Sequence, residues 1–590
     1  MRCFCTQDTW MRLLRVHDKA AALLLLAACW MVPAHALAQQ APMPLPKLVE
    51  EQGRATLMVD GAPYFLLGAQ VDNSSGWPTR LDAVWTQAGA LGLNTLEVPV
   101  YWEQMEPKKG SFDFTAVDAI LAQAREHKLH LTLLWFGTWK NGKMHYVPDW
   151  VKSDPANYPR MKSKSGAPID VLSPNAPANL EADSTAFAAL MHHLKQADPQ
   201  HTVIMMQVEN ESGSLGLVRD FSPAAQAIFD APVPVDLVNA LGKKPGTWQQ
   251  VFGDQADESF AAWSVARYIN AIAEAGKKEL PLPMYVNNWL KSPRAYPVST
   301  VPGDDYPSGG PTINMHPIWK TTAPAIDLLA PDLYVPSAAN YRAVMHSFHY
   351  PGNPLLIPES LGFEPFPGAS GYARYLYLAL GEGAIGFANF GLDRLPVGEL
   401  ITPADAKNKE SLAQVNGFRL LGSFDRELAA LKYAGKLQTA VEEDGIAQKE
   451  LAFAADGLAI SREGLSIGKD ELETAAAKSA WRVVVSFPPA YDPPAAPVST
   501  TSDTTGLHVG RAVVASLGPN QFLVAGIDCR VQFALPVHAD GKQPQMLKVE
   551  EGHYDGTKWI ATRLWNGDET DYGLNFGGTG SLLHVTLGSY

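Results

Sequence analysis

Eight short apolar runs recur between residues 64 and 390, at 64–70, 95–101, 129–136, 203–209, 283–287, 326–334, 355–358 and 384–390. Amphipathic stretches separate them. That alternation is the pattern of βα units feeding a parallel sheet, and eight strands close such a sheet into a (β/α)₈ barrel. Among the helices, Thr115 is expected as an N-cap, with Asp118 three residues on and Val117, Ile120, Leu121 and Ala124 at helical spacing. Residues 182–196, 259–276 and 371–380 have the same character. Two connections, 212–258 and 288–325, exceed what a barrel needs. They carry Trp248, Trp289, Tyr306, His316 and Trp319, and the expectation is that they wall a binding cleft.

After residue 393 the pattern changes. Residues 409–432 read as helical, and from about residue 436 short alternating strands follow, among them 481–487, 511–515, 521–526 and 582–587, with a proline-rich loop at 488–497. This predicts an all-β sandwich appended to the barrel. The expected division is a signal peptide over 1–38, a linker over 39–52, a barrel over 53–435 and a sandwich over 436–590.

The first residues support that division. Arg12, Arg15 and Lys19 precede an apolar run at 20–32, and Ala36-Leu37-Ala38 offers small residues for cleavage; Met11 is an alternative start. The run is too short for a membrane span, so an exported chain without a transmembrane segment is expected, periplasmic or extracellular. Leu26-Ala27-Ala28-Cys29 offers a second reading, a lipoprotein box with Cys29 lipidated. Cys3, Cys5 and Cys29 lie in this leader, which leaves Cys529 alone in the mature chain and no intrachain disulfide. A net charge of −14 argues against nucleic acid as a partner.

Reactive groups in such a barrel stand at the C-terminal ends of strands. The fourth run ends Met205-Met206-Gln207-Val208-Glu209-Asn210-Glu211, and the seventh ends Leu355-Leu356-Ile357-Pro358-Glu359. A carboxylate after an apolar strand costs desolvation energy, so it needs a compensating gain. Strands four and seven face each other across a barrel mouth. Two carboxylates placed that way can flank a glycosidic bond, one protonated and one ionised, and their separation decides between retention and inversion. Glu209 and Glu211 both fit strand alternation, and nearness to the rim favours Glu211. Glu364, beyond Gly362, is a rival to Glu359.

Here the sequence resembles a known group. Asn210-Glu211 after strand four, with a Glu ending strand seven, resembles the clan A retaining glycosidases. Asn94-Thr95-Leu96-Glu97-Val98-Pro99-Val100-Tyr101-Trp102, then Glu106-Pro107 and Gly110-Ser111-Phe112-Asp113-Phe114, resembles the second-strand motif of glycoside hydrolase family 35 β-galactosidases. Gln207-Val208-Glu209-Asn210-Glu211 matches that family's acid/base segment. The resemblance implies Glu211 as acid/base, Glu359 as nucleophile, and Asn210 on the sugar 2-hydroxyl. It also implies Tyr334, after strand six, as a phenol orienting the nucleophile. The C-terminal part resembles the β-sandwich of a bacterial branch of the group.

Two departures bear on the sugar. Pro99 stands where many members have Tyr. Their third strand ends with Asn or Cys, Ala and Glu gripping galactose hydroxyls, whereas here it ends Trp135-Phe136-Gly137-Thr138-Trp139-Lys140. Glu97, Glu103 and Glu106 are candidates to substitute, with Glu97 facing either the barrel interior or the helices. Trp135 and Trp139 are expected to stack on a sugar, with core packing as the alternative, and Trp289 is a further candidate contact.

The remaining signals point away from other chemistry. His192-His193 lack metal-ligand spacing and no HExxH, GxGxxG or GxxxxGK[ST] occurs, so neither metal nor organic cofactor is expected. Ser212-Gly213-Ser214-Leu215-Gly216 misses the nucleophile-elbow spacing. The expected function is hydrolysis of terminal β-D-galactosyl residues with retention, for example on xyloglucan side chains. The alternatives are another clan A β-glycanase or β-mannosidase, or a carbohydrate-binding protein without turnover. A homodimer is compatible with this reading.

Overall fold

The computed structural model describes residues 43–291, 300–335, 337–362, 371–394, 409–443, 446–460, 479–487, 509–535 and 541–590. The expected signal peptide, Glu364 and the loop at 488–497 lie outside the described residues. Among the described residues, no helix is long and apolar enough to cross a membrane.

All eight apolar runs are barrel strands: β1 (Leu66–Gln70), β2 (Thr95–Tyr101), β3 (His130–Lys140), β4 (Val203–Asn210), β5 (Met284–Asn288), β6 (Leu328–Leu333), β7 in two pieces (Leu356–Ile357 and Glu359–Ser360) and β8 (Gly386–Phe390). Every pairing is parallel, running β8-β1-β2-β3-β4-β5-β6. The two pieces of β7 close the ring, the first pairing with β8 and the second with β6. Pro358, which has no N–H to give a ladder, separates them. Glu359 therefore begins the piece that pairs with β6, where Asp332 is its register partner.

Side chains pointing into the barrel form one apolar cluster that includes Leu66, Met205, Tyr285, Leu328, Ala330 and Leu356. The antiparallel strands Lys47–Glu51, Arg54–Val59 and Ala62–Tyr64 lie before β1 and add Leu57, Val59 and Tyr64 to it. The interval expected as a linker thus already contains a paired strand.

The larger core lies between strands and helices. Helix α1 (Pro78–Leu91) begins with Pro and ends at Gly92, whose φ of 70° is the left-handed conformation that a C-cap needs. Helix α2 (Thr115–Glu126) buries Val117, Ile120, Leu121 and Ala124 as expected, but Phe114 is its N-cap and Thr115 is already helical. Asp113 accepts from the Thr115 N–H at 2.9 Å and takes the capping role. Helices α3 (Pro177–Ala197) and α4 (Ala256–Glu279) pack on the outside of β3 and β4.

Beyond the barrel, two antiparallel sheets face each other. One runs Leu437–Val441, Arg511–Gly518, Gln521–Ile527, Ser581–Ser589, Pro544–Asp555, Lys558–Leu564, and the other Gln448–Ala454, Ser479–Ser486, Cys529–Ala534, Leu574–Phe576. Phe453, Trp481, Val483, Phe522, Val524, Val531 and Val585 from both sheets share one core, as a sandwich requires. Cys529 is buried and free.

Candidate active site

Three carboxyls converge at the C-terminal mouth of the barrel: Glu211 after β4, Asp332 in β6 and Glu359 in β7. All are buried, and one oxygen of each lies within 4.8 Å of those of the others. The buried ammonium of Lys140, the last residue of β3, supplies positive charge beside all three.

Backbone geometry places Glu211. Both Glu209 and Glu211 have positive φ, 65° and 44°, a conformation that costs non-glycine residues ~1–3 kcal/mol each. It breaks strand alternation, so the two side chains diverge. Glu209 turns to β3, where its carboxylate accepts from the Thr138 N–H at 3.1 Å and the Trp139 N–H at 2.7 Å. Glu211 turns to the mouth. Its own N–H donates to Asn287 Oδ1 at 3.0 Å, and its carbonyl accepts from Gly142 at 3.0 Å. These bonds hold the strained conformation in place.

Burial pushes the Glu211 carboxyl up to about 7; Lys140 opposes this and the nearby Glu359 adds to it, while the adjacent Asp332 and the half-buried Trp289 oppose it. Burial also raises Glu359, opposed first by Lys140 and then by the hydrogen bond from Tyr334. The Tyr334 hydroxyl donates to Glu359 Oε1, and Glu359 Oε2 is left without a partner. Lys140 Nζ donates to Asn210 Oδ1 at 2.8 Å, leaving Asn210 Nδ2 a buried donor without a partner.

Glu97 faces the barrel interior. It is in register with Gln70 on β1 and Thr132 on β3, and Thr132 is in register with the inward-facing Met205. Neither of its oxygens has a partner, and burial followed by the charge of Glu359 raises its carboxyl well above the usual range. Glu103 and Glu106 do not substitute for the missing third-strand acid. Glu103 pairs with Lys152 at 3.2 Å, and Glu106 is tied to the Trp102 indole and the Gly110 N–H.

The expected sugar platforms Trp135 and Trp139 are core residues. Trp135 is 0% exposed, packs on Phe187 of α3 and donates to Asp183 at 2.9 Å. Trp139 is 1% exposed and meets Tyr268 of α4 edge-on. Trp135 shares the helix-facing side of β3 with Leu131 and Leu133 by ordinary alternation, whereas Trp139 lies in a bulge: Trp135 is in register with Val208 and Lys140 with Asn210, so residues 136–139 stand opposite Glu209 alone. Trp248, Tyr306, His316 and Trp319, expected in cleft walls, are likewise buried. At the mouth, Trp77 is 45% exposed and stacks on Tyr101 at the end of β2.

Residues 56–268 match the family model described as glycosyl hydrolases family 35. The match covers about a third of the chain and marks a similarity to that family over this stretch. Glu97, Lys140, Asn210 and Glu211 fall inside the family 35 region, whereas Asp332, Tyr334 and Glu359 follow it. Residues 415–577 match a domain of unknown function, DUF5597. A curated β-galactosidase of Xanthomonas manihotis is 38% identical over 71 residues, which is 11% of this chain and 11% of the relative's own length. Among solved structures, a β-galactosidase from Rahnella sp. R3 aligns with TM-score 0.42 and 16% identity, covering 62% of this chain and 57% of that one. One from Marinomonas ef1 aligns with TM-score 0.42 and 14% identity, covering 62% of each.

Asp332 and Asn287 were open to the reasoning that found Glu211. Asp332 follows the apolar stretch Leu328-Leu329-Ala330-Pro331, and Asn287 closes the run before it.

Proposed function

We propose that the chain is an exported retaining β-galactosidase in which Glu359 is the nucleophile and Glu211 the acid/base. The observation that carries this reading is the approach of Glu211 and Glu359 to within 4.8 Å across the mouth. Retention calls for carboxyls ~5 Å apart, while inversion needs ~6.5–9.5 Å to admit a water.

In the first step Glu359 attacks the anomeric carbon. The bond to the leaving oxygen breaks, and that oxygen takes the proton of Glu211. Formation of the glycosyl ester removes the charge of Glu359, so Glu211 now takes a proton from water. The resulting hydroxide adds to the anomeric carbon, the ester bond breaks and Glu359 leaves as a carboxylate. Asn210 Nδ2 is a free donor for the 2-hydroxyl, and Trp289 and Trp77 are aromatic faces for sugar rings.

Galactose is favoured by the similarity of residues 56–268 to family 35 and by the 38% identity over 71 residues with a β-galactosidase. The leader at residues 1–38 supports action outside the cytoplasm, with galactose trimmed from the ends of cell-wall oligosaccharides such as xyloglucan side chains. The end of the third strand, Trp135–Lys140, lacks the galactose-gripping carboxylate of many family 35 enzymes, which makes β-mannosides and β-glucosides necessary comparisons.

The test is turnover of aryl β-galactoside, β-glucoside and β-mannoside by wild type, Glu359→Ala and Glu211→Ala, with and without azide. Preference for galactoside, α-galactosyl azide from Glu359→Ala and β-galactosyl azide from Glu211→Ala are expected. Preference for another sugar would reassign the substrate; no turnover of any of them would leave a carbohydrate-binding protein.

A further inference from the structure

The pair Glu211 and Glu359 does not account for Asp332. This carboxyl is 3% exposed and lies against two others. Its Oδ2 accepts from Asn287 Nδ2 at 2.9 Å, and Asn287 Oδ1 in turn accepts the N–H of Glu211 at 3.0 Å. One amide thus holds both the Asp332 side chain and the Glu211 backbone. Asp332 Oδ1 is wholly buried and unpartnered, and one carboxyl oxygen of Asp332 lies within 4.8 Å of one of Glu211. A buried carboxylate oxygen with no donor, beside two further acids, is costly. A proton on Oδ1 removes that cost and turns the oxygen into a donor.

We propose that Asp332 works as a neutral acid whose hydroxyl donates a hydrogen bond to Glu211, positioning that carboxyl and stabilising the carboxylate it becomes after protonating the leaving group. The inference rests on the reading of Glu211 as acid/base. Asp332 keeps its own proton throughout, so the proton balance of the two steps is unchanged. The charged and titratable groups around the pair are Glu359 and its partner Tyr334, Lys140 at the end of β3, and Tyr285 of β5. Glu359 and Glu211 disfavour ionisation of Asp332, while the charge of Lys140 favours it.

Asparagine has the shape and polarity of this neutral acid, with an acceptor toward Asn287 and a donor toward Glu211. Alanine has neither. The experiment compares Asp332→Asn and Asp332→Ala on aryl galactosides with a good leaving group (2,4-dinitrophenyl) and a poor one (phenyl), across pH, with thermal melts to verify folding. Asp332→Asn is expected within about ten-fold of wild type on both. Asp332→Ala is expected to lose on the order of 10²-fold on phenyl and far less on dinitrophenyl. Its alkaline limb should move to higher pH, because Glu211 has lost the donor that stabilised its charge. Asp332→Asn falling as far as Asp332→Ala would show that an ionised Asp332 is required and overturn the proposal. Equal losses on both leaving groups with an unmoved pH profile would reduce Asp332 to a structural role and also overturn it.

Infrared difference spectra of wild type against Asp332→Asn at pH 6 give a readout independent of turnover. A protonated-carboxyl band present in wild type and lost in the variant is expected, and its absence would overturn the proposal. This holds whether or not galactosides prove to be substrates, so the two readings fail separately.

Discussion

The ammonium of Lys140 donates to Oδ1 of Asn210 at 2.8 Å, and the residue after Asn210 is Glu211. A bulge of β3 brings a cation to the end of β4, next to the acids it must balance. Lys140 pulls down the carboxyls of Glu211, Asp332 and Glu359 together.

Removing that charge while keeping the stem, as in Lys140→Met, should therefore move both limbs of the kcat/KM profile to higher pH. An opposite charge at this range is worth about one to three pH units. Activity at pH 5 should suffer more than activity at pH 7, because Glu359 would hold its proton longer. Lys140→Arg should keep the limbs near their wild-type positions and lose turnover through the disturbed bond to Asn210. A profile that does not move in Lys140→Met would remove Lys140 from the electrostatics of the site.

For the wild type, the shifts define a bell. Glu211 must carry its proton, and its carboxyl is pushed up to about 7, so activity should fall above about pH 7. Glu359 must be ionised, and its carboxyl lies above the ordinary 4.5, so the acid limb should lie above 4.5 as well. A flat profile between pH 4 and 8 would contradict both assignments.

The same groups link stability to pH. A carboxyl raised on folding makes the folded state bind more protons than the unfolded one, so stability falls as pH rises from the unfolded value toward the folded one. For Glu211 that window runs from 4.5 to about 7. Glu211→Gln removes the ionisation, so its melting temperature should exceed that of wild type at pH 8 and approach it at pH 4. A constant difference across pH would mean that packing, not charge, separates the two proteins.

Tyr334 offers a cleaner change because one atom is removed. Its hydroxyl donates to Glu359 Oε1, and a hydrogen bond to a charged group contributes about 1.5–3 kcal/mol. Tyr334→Phe should reduce kcat/KM by roughly ten- to hundred-fold. The acid limb should move up, since Glu359 loses a bond that favours its charge. Unchanged kinetics would make Tyr334 a packing residue.

The barrel was legible because parallel strands are buried on both faces and read as nearly continuous apolar runs. All eight were found within a few residues of their ends. Chemistry at the strand ends was legible where an acid interrupts such a run, as Glu211 and Glu359 do, and the same criterion applies to Asp332. What could not be read was direction. Strand alternation puts Glu209 and Glu211 on one face, yet positive φ at both sends them apart. The bulge at residues 136–139 likewise takes Trp139 into the core beside the helices and leaves Lys140 at the site. Neither device leaves a periodic trace. Aromatic residues misled for a simpler reason: Trp248 and Trp319 cover the helices of the barrel, and a ring's suitability for sugars says nothing of its exposure.

The bulge also supplies the sharpest structural prediction. Gly137 lies where the Trp135 indole, Glu209 and Asp183 converge. A Cβ there would stand 2.4 Å from Trp135 Nε1, 2.7 Å from Glu209 Oε1 and 2.8 Å from Asp183 Oδ1. The two carboxyls are buried and hydrogen-bonded to each other, and their proton affinities are raised by burial. Both also bind the Thr138 N–H, so neither can retreat without breaking a bond. Gly137→Ala should therefore force the bulge outward and cost about 1–3 kcal/mol as an overpacked core position. Because Lys140 hangs from the same bulge, activity should fall along with the melting temperature. Lowering the melting temperature by a comparable amount at a distant core position, for example by Val524→Ala in the sandwich, should leave kcat/KM at 25 °C unchanged. If Gly137→Ala behaves like that control, the bulge supports the fold and does not set the position of Lys140.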